Sequence, residues 1–158
     1  MSGAAYAHGV PKKIRVSTTI DAPPRRVWAA IDDIATHVAW MADADAIRFR
    51  EGPRRGVGTT FECDTRVGPL KLTDIMEITA WKPGRRMGVR HTGVVTGTGA
   101  FTLRRSRRGR TRFTWTESLR FPWWLGGPIG AVAGRVVLSW VWQRNLRNLK
   151  RFVEAGLT

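Results

Sequence analysis

Residues 57–78 read VGTTFECDTRVGPLKLTDIMEI, and no other part of the sequence indicates a fold as strongly. On both sides of Gly68-Pro69, a pair typical of a turn, every second position suits one face of a strand. Because alternate side chains of a strand point to opposite faces of a sheet, this stretch predicts two consecutive antiparallel strands. The residues that share one face are Val57, Thr59, Phe61, Cys63, Thr65 and Val67 before the turn, and Leu70, Leu72, Asp74, Met76 and Ile78 after it.

Upstream of this hairpin the sequence predicts a strand and two short helices. Residues 14–20 alternate between apolar and polar side chains, which is typical of a strand. Asp21 is expected to be the N-cap of a first helix, and Pro23 and Pro24 suit its first turn. A second short helix is expected over residues 37–41.

The rest of the chain predicts further strands and then one long helix. A strand that begins at Ile47 precedes the hairpin, and three more follow it, over residues 87–91, 95–103 and 113–121. Residues 129–153 contain few helix breakers and predict a long C-terminal helix. Strands and helices are therefore segregated, and short turns join successive strands. We expect an α+β fold in which a seven-stranded curved antiparallel sheet holds the long helix over its concave face.

The length and composition fit a single domain. A chain of 158 residues with 42% hydrophobic residues can bury one ordinary core. We expect residues 1–12 to form a loose tail and residues 13–158 to form one domain. Cys63 is the only cysteine, which excludes an internal disulfide. The N-terminal residues lack the apolar stretch of a signal peptide, so a cytoplasmic location is predicted.

The charge balance predicts contact with a polyanion. The 27 Lys and Arg residues outnumber the 12 Asp and Glu residues and give a formal net charge of +15. Such a charge attracts nucleic acid or an anionic membrane surface, although a GC-rich genome would produce the same excess of arginine. We see no nucleic-acid recognition motif, so specific nucleic-acid binding is not expected. The basic cluster around Gly109 is predicted to form an exposed hairpin tip, with Arg105, Arg107 and Arg108 as candidate anion contacts.

Several stretches together resemble the SRPBCC superfamily, which has the helix-grip fold of START domains and birch-pollen-type allergens. The resemblance covers about residues 13–154, and the chain looks most similar to the polyketide cyclase/dehydrase branch. It implies a cavity for a hydrophobic ligand, but the superfamily includes lipid carriers as well as enzymes. The stretches are residues 20–28 (IDAPPRRVW), Trp40, residues 56–59 (GVGT), residues 77–83 (EITAWKP), residues 113–117 (FTWTE) and the final helix.

The cavity implied by this resemblance would lie between the sheet and the long helix. Aromatic walls suit a flat or polycyclic ligand, although the eight tryptophans are as readily explained by a tryptophan-rich core. The residues expected to line it are Trp40, Phe61, Met76, Met87, Val89, Phe101, Trp115, Val137, Trp140 and Val141.

Three titratable residues are candidates for catalysis. Asp74, His91 and Glu117 each fall on the apolar face of a strand by period-2 counting, so they are expected inside the cavity. Such a group could remove a proton from a carbon next to a carbonyl. Two structural alternatives remain open: a carboxylate could pair with a buried arginine, or a β-bulge could move a side chain to the other face.

Two adjacent tryptophans are candidates for a contact with a membrane. Trp123 and Trp124 open a segment rich in Gly and Pro beside the expected cavity mouth, which could be a lid, a membrane contact or an ordinary loop. A transmembrane span is not expected, because Arg135 interrupts the apolar part. His8 and His37 lie far from His91 in the sequence, and neither a metal site nor a cofactor is predicted.

Three functions follow as hypotheses. The first is binding or transport of a hydrophobic small molecule such as a lipid, a polyketide or another polycyclic compound. The second is a polyketide cyclase, aromatase or dehydrase that uses the three titratable residues. The third is a peripheral membrane protein that exchanges lipid with a bilayer. The sequence does not identify the ligand or the oligomeric state.

Overall fold

The computed structural model describes residues 12–156, except for the side chains of residues 127 and 128. The predicted tail lies outside the described residues, apart from Lys12. One antiparallel sheet forms the body of the molecule, with strand order β1-β7-β6-β5-β4-β3-β2. The seven strands are β1 (Ile14–Ile20), β2 (Ala44–Phe49), β3 (Thr60–Val67), β4 (Leu70–Lys82), β5 (Arg86–Thr92), β6 (Thr96–Arg105) and β7 (Thr111–Arg120).

The hairpin that dominates the sequence pattern is formed by β3 and β4. Gly68 has φ 58°, a left-handed conformation that a residue without Cβ adopts at little cost. The register pairs Phe61 with Met76 and Cys63 with Asp74. Because paired residues share a face, these side chains all reach the concave face of the sheet, as the alternation predicted.

Two α-helices and a six-residue 3₁₀ helix pack beside the sheet. Helix α1 begins at Pro24, and its N-cap position is Pro23, without a side-chain cap. The prediction of Asp21 as N-cap is therefore wrong. Instead, the Asp21 amide donates a hydrogen bond of 2.8 Å to Glu154 Oε1. The short helix expected over residues 37–41 is a 3₁₀ helix that begins earlier, with Asp33 Oδ1 accepting from the Ala35 amide. The ranges are α1 (Pro24–Ile31), the 3₁₀ helix (Ile34–Ala39) and α2 (Gly127–Ala155).

The long helix α2 packs against the rest of the protein mainly through its C-terminal half. Leu146 and Leu149 are fully buried in the core, together with Ile31 of α1. In the N-terminal half, by contrast, the side chain of Ile129 is 84% exposed. The helix therefore closes one end of the concave face and leaves space beneath its N-terminal half. The predicted seven-stranded α+β architecture with a long C-terminal helix is confirmed.

Candidate ligand-binding cavity

A cavity of about 370 Å³ lies between the concave face of the sheet and α2. This volume is in the range of small-molecule sites, which begins near 300 Å³. Leu70, Leu125 and Val137 line it and are partly or well exposed, so its mouth lies between the β3–β4 turn and the N-terminal half of α2. The structure places seven of the predicted lining residues on its wall: Phe61, Met76, Met87, Val89, Phe101, Trp115 and Val137.

Three residues predicted to line the cavity lie elsewhere. Trp40 is 1% exposed and sits in the core, where its ring contacts those of Phe101 and Trp115 at centroid distances of 6.0 and 6.3 Å. Trp140 is 61% exposed on the outer side of α2, and Val141 packs against the core. The sequence of the first half of this helix is apolar on most sides and does not indicate which side faces the sheet.

Trp142 lines the cavity from α2 instead. Its indole stacks on that of Trp115, with ring centroids 5.0 Å apart and an interplanar angle of 19°. These two rings form a flat, rigid part of the wall. An offset-stacked pair of this kind contributes about 0.5–1.5 kcal/mol beyond the area that it buries.

Strand β6 has a gap in its side chains that brings the three predicted titratable residues together. His91 of β5 and Glu117 of β7 lie on either side of β6, where Gly97 and Gly99 occupy the facing positions. A Cβ at position 99 would overlap the carboxylate of Glu117, and one at position 97, where φ is 140°, would overlap the backbone of β7. Glu117 therefore lies over the bare backbone of Gly99 and reaches His91 across the strand between them. Asp74 meets His91 from the other side, on β4.

The three side chains form one buried hydrogen-bonded network. His91 donates from Nδ1 to Asp74 Oδ2 and from Nε2 to Glu117 Oε2, the second bond being 3.2 Å long. The other carboxylate oxygens are also occupied: the Ile75 amide donates to Asp74 Oδ1 at 3.0 Å, and Trp115 Nε1 donates to Glu117 Oε1 at 2.9 Å. Both N–H groups of His91 are thus used within the protein. No arginine takes part in these bonds, so the predicted structural alternative of a buried arginine partner does not apply.

The two carboxylates hold a positive charge on His91. Burial by itself would lower the pKa of this imidazole, but hydrogen bonds and charges from Asp74 and Glu117 outweigh burial and raise its pKa to about 10. At neutral pH His91 is therefore an imidazolium between two carboxylates. All three residues line the cavity.

Sequence reasoning missed two further polar residues on the cavity wall, His37 and Asp43. His37 Nε2 donates to the Ile31 carbonyl at 2.7 Å, and burial lowers the pKa of this histidine to about 4, so its ring is neutral. Burial also raises the pKa of Asp43, which accepts a hydrogen bond of 2.6 Å from Asn145 Nδ2. Both lie in or after the 3₁₀ helix, where no period-2 alternation exists that could assign a side chain to the cavity.

The residues predicted to contact a membrane or an anion lie at opposite ends of the sheet. Trp123 and Trp124 follow β7, whereas Arg105, Arg107 and Arg108 precede it. Strand β7 has 10 residues, and a rise of about 3.3 Å per residue puts about 30 Å between its ends. The two groups are therefore separated by the length of the sheet. Within residues 12–156, no helix is long and apolar enough to cross a bilayer.

Comparisons with known proteins agree with this architecture. The sequence model of the family described as polyketide cyclase/dehydrase and lipid transport matches residues 11–154. No curated protein sequence is significantly similar to the chain.

Solved structures are similar in fold at low sequence identity. TTHA0849 from Thermus thermophilus is 18% identical, with a TM-score of 0.77 over 93% of this chain and 100% of that one. ZhuI aromatase/cyclase from Streptomyces sp. R1128 is 16% identical, with a TM-score of 0.73 over 93% of this chain and 96% of that one. XoxI from Bacillus cereus is 12% identical, with a TM-score of 0.73 over 92% of this chain and 98% of that one. The resemblance seen in the sequence is confirmed, and the chain belongs to the family of polyketide cyclases/dehydrases and lipid transport proteins.

Proposed function

We propose that this protein binds an uncharged, largely apolar small molecule whose hydroxyl groups donate hydrogen bonds to the carboxylates beside His91. The observation behind the proposal is the charge of the cavity wall. Among the described residues that line the cavity, none is a lysine or an arginine, although the whole chain has a net charge of +15. The only cationic side chain among these residues is His91, and two carboxylates already neutralise it.

This arrangement disfavours anionic ligands. One imidazolium and two carboxylates leave the network with a net negative charge in surroundings of low polarity. A ligand carboxylate placed there would lose its hydration and meet a like charge, without a cation to compensate it. A free fatty acid or an aromatic acid is therefore a poor ligand, whereas an alcohol or a phenol with the same skeleton is not penalised.

The hydrogen-bonding capacity of the wall also favours a donor. Each carboxylate oxygen of Asp74 and Glu117 has one protein donor but can accept a second hydrogen bond, whereas His91 has no N–H left. A hydroxyl group that donates to one of these oxygens completes the network without breaking a bond. The rest of the wall supplies apolar contact, worth about 25 cal/mol per Å² of buried area before the costs of binding.

We expect 2-naphthol to bind at least about tenfold more tightly than 2-naphthoate at pH 7.5, which corresponds to about 1.4 kcal/mol. The two probes share a ring system and differ in whether the polar group is a neutral donor or a carboxylate. Isothermal titration calorimetry gives both dissociation constants. Equal affinities, or tighter binding of 2-naphthoate, would contradict the proposal.

A pair of variants tests whether the ligand binds inside the cavity. Val89→Trp fills the cavity from β5, whereas Thr98→Trp adds the same bulk on the opposite face of the neighbouring strand β6, where the side chain is exposed. Binding of 2-naphthol should be lost in the first variant and unchanged in the second. Native mass spectrometry of the purified protein, with organic extraction, would then identify any natural ligand that co-purifies.

A second candidate function, acid–base catalysis, is favoured by the position of Glu117. Its carboxylate faces the cavity and could take a proton from a carbon next to a ligand carbonyl, leaving an enolate, while His91 donates a hydrogen bond to the same carboxylate.

Hydrogen–deuterium exchange at C1 of 2-tetralone, a ketone that is neutral at pH 7, followed by NMR in D2O, tests this function. The wild-type protein should accelerate the exchange, and Glu117→Gln should reduce the acceleration about a hundredfold or more while still binding 2-naphthol. If the wild-type protein does not accelerate exchange, the catalytic function is excluded for this substrate class and the binding function is unaffected.

A further inference from the structure

We propose that the exposed apolar side of α2 docks the cavity mouth onto an anionic membrane surface. The outer helix face consists of Ile129, Val132, Val136 and Trp140, which follow one another at intervals of three or four residues and are all exposed. Trp123 and Trp124, in the short 3₁₀ turn before α2, are 85% and 55% exposed. Large apolar side chains concentrated in this way are unusual on a protein surface and mark an interaction site.

Closure of the cavity cannot cover this face. The positions of α2 that line the cavity are Gly130, Ala133, Gly134, Val137, Leu138 and Trp142. With 100° of rotation per residue, the outer helix face lies on average more than 100° around the helix axis from these residues. If α2 moved toward the sheet, it would bury the lining residues and leave the outer helix face in contact with solvent.

The charge pattern on the exposed side of α2 favours an anionic bilayer as the binding partner. The line of the outer helix face continues past Trp140 into Arg144, Arg147 and Arg151, again at intervals of three or four residues, and all three arginines are exposed. Glu154 is the only acidic residue of the helix, and it is paired with Lys150 at 2.6 Å. One helix side therefore presents apolar residues and then cations, which matches the acyl region and the anionic headgroups of a membrane.

Basic residues at the mouth end of the sheet add to this surface. Lys12 and Lys13 precede β1, Lys71 lies at the start of β4, and Arg120 ends β7, and all four are exposed. They surround the same end of the molecule as Trp123. Apolar insertion and basic residues are the two contributions that together give stable but reversible membrane binding. A ligand could then pass between the bilayer and the cavity without crossing water.

Vesicle co-flotation tests the proposal. The full-length protein should float with vesicles made of equal parts of phosphatidylglycerol and phosphatidylcholine. It should bind phosphatidylcholine vesicles at least about tenfold less, and high salt should weaken the binding. The variant Val132→Ser/Val136→Ser/Trp140→Ser should lose most of the bound fraction. All three side chains are exposed, so the variant should fold, and circular dichroism verifies this.

The matched control removes cations from the other end of the sheet. Arg105→Gln/Arg107→Gln/Arg108→Gln changes three exposed residues at the β6–β7 connection and should keep most of the vesicle binding. If this variant loses binding and the serine variant keeps it, the arginine tip is the contact and the proposal is wrong. The proposal is also overturned if the wild-type protein does not bind anionic vesicles but forms a dimer, detected by light scattering, that the serine variant abolishes. The outer helix face would then bind a second copy of the chain.

Discussion

Raising the pH from 6.5 to 8.5 should lower the free energy of unfolding of this protein by about 2–3 kcal/mol. The cause is His91, whose pKa is raised from 6.5 to about 10 in the folded protein by its two carboxylate partners, despite burial. Below pH 6.5 the imidazole is protonated in both the folded and the unfolded chain, so the stabilisation by the network is fully present. Above pH 6.5 the unfolded chain loses this proton while the folded chain keeps it, and stability falls until the pH passes the folded pKa.

Urea denaturation at several pH values measures this slope. The upper limit of pH 8.5 keeps the thiol of Cys63 out of the comparison, because its unfolded pKa is 9.0 and burial raises the folded pKa to about 11. The neutral variant Asp74→Asn/His91→Leu/Glu117→Gln is the control, since its amides still accept from the Ile75 amide and Trp115 Nε1 but nothing in the network titrates. A wild-type slope no larger than that of this variant would show that His91 is not held as an imidazolium.

The second large effect is expected for His91→Leu at pH 7, which should lower the free energy of unfolding by about 3–5 kcal/mol. The substitution leaves the carboxylates of Asp74 and Glu117 buried near each other without a cation.

The neutral triple variant separates the loss of the cation from the loss of packing. It contains the same leucine at position 91 but carries no buried charge, so it should recover most of the stability that His91→Leu loses. Chemical denaturation of the two variants side by side gives the comparison. If both are equally destabilised, the stability came from the packing of the imidazole ring and not from its charge.

Much of the fold follows from period-2 alternation, which needs only the local sequence. The pairing of Phe61 with Met76 follows from two alternating segments and the Gly68-Pro69 turn. The same counting put Asp74 and His91 on the concave face, because a strand has only two faces to choose between.

The helical parts of the site could not be assigned in the same way. A helix segment that is apolar on most sides does not show which side faces the sheet. Trp140 is therefore predicted to line the cavity, whereas the structure places Trp142 on the cavity wall. The lining residues His37 and Asp43 lie outside regular alternation. The contact between His91 of β5 and Glu117 of β7 is possible because β6, which lies between them, has glycine at the facing positions. Alternation within β5 or β7 alone does not show which strand lies between them.

The bare backbone at Gly99 has a consequence for the order in which this site could have changed during evolution. Any larger residue at position 99 overlaps the space that the Glu117 carboxylate occupies. An ancestor with a side chain at position 99 therefore had to acquire glycine there before an acid at position 117 could reach His91. A descendant that lost the acid could accept alanine at position 99, and a single reversion at position 117 would then not rebuild the network. The residue tolerated at position 117 therefore depends on the residue at position 99, although the two positions lie on different strands.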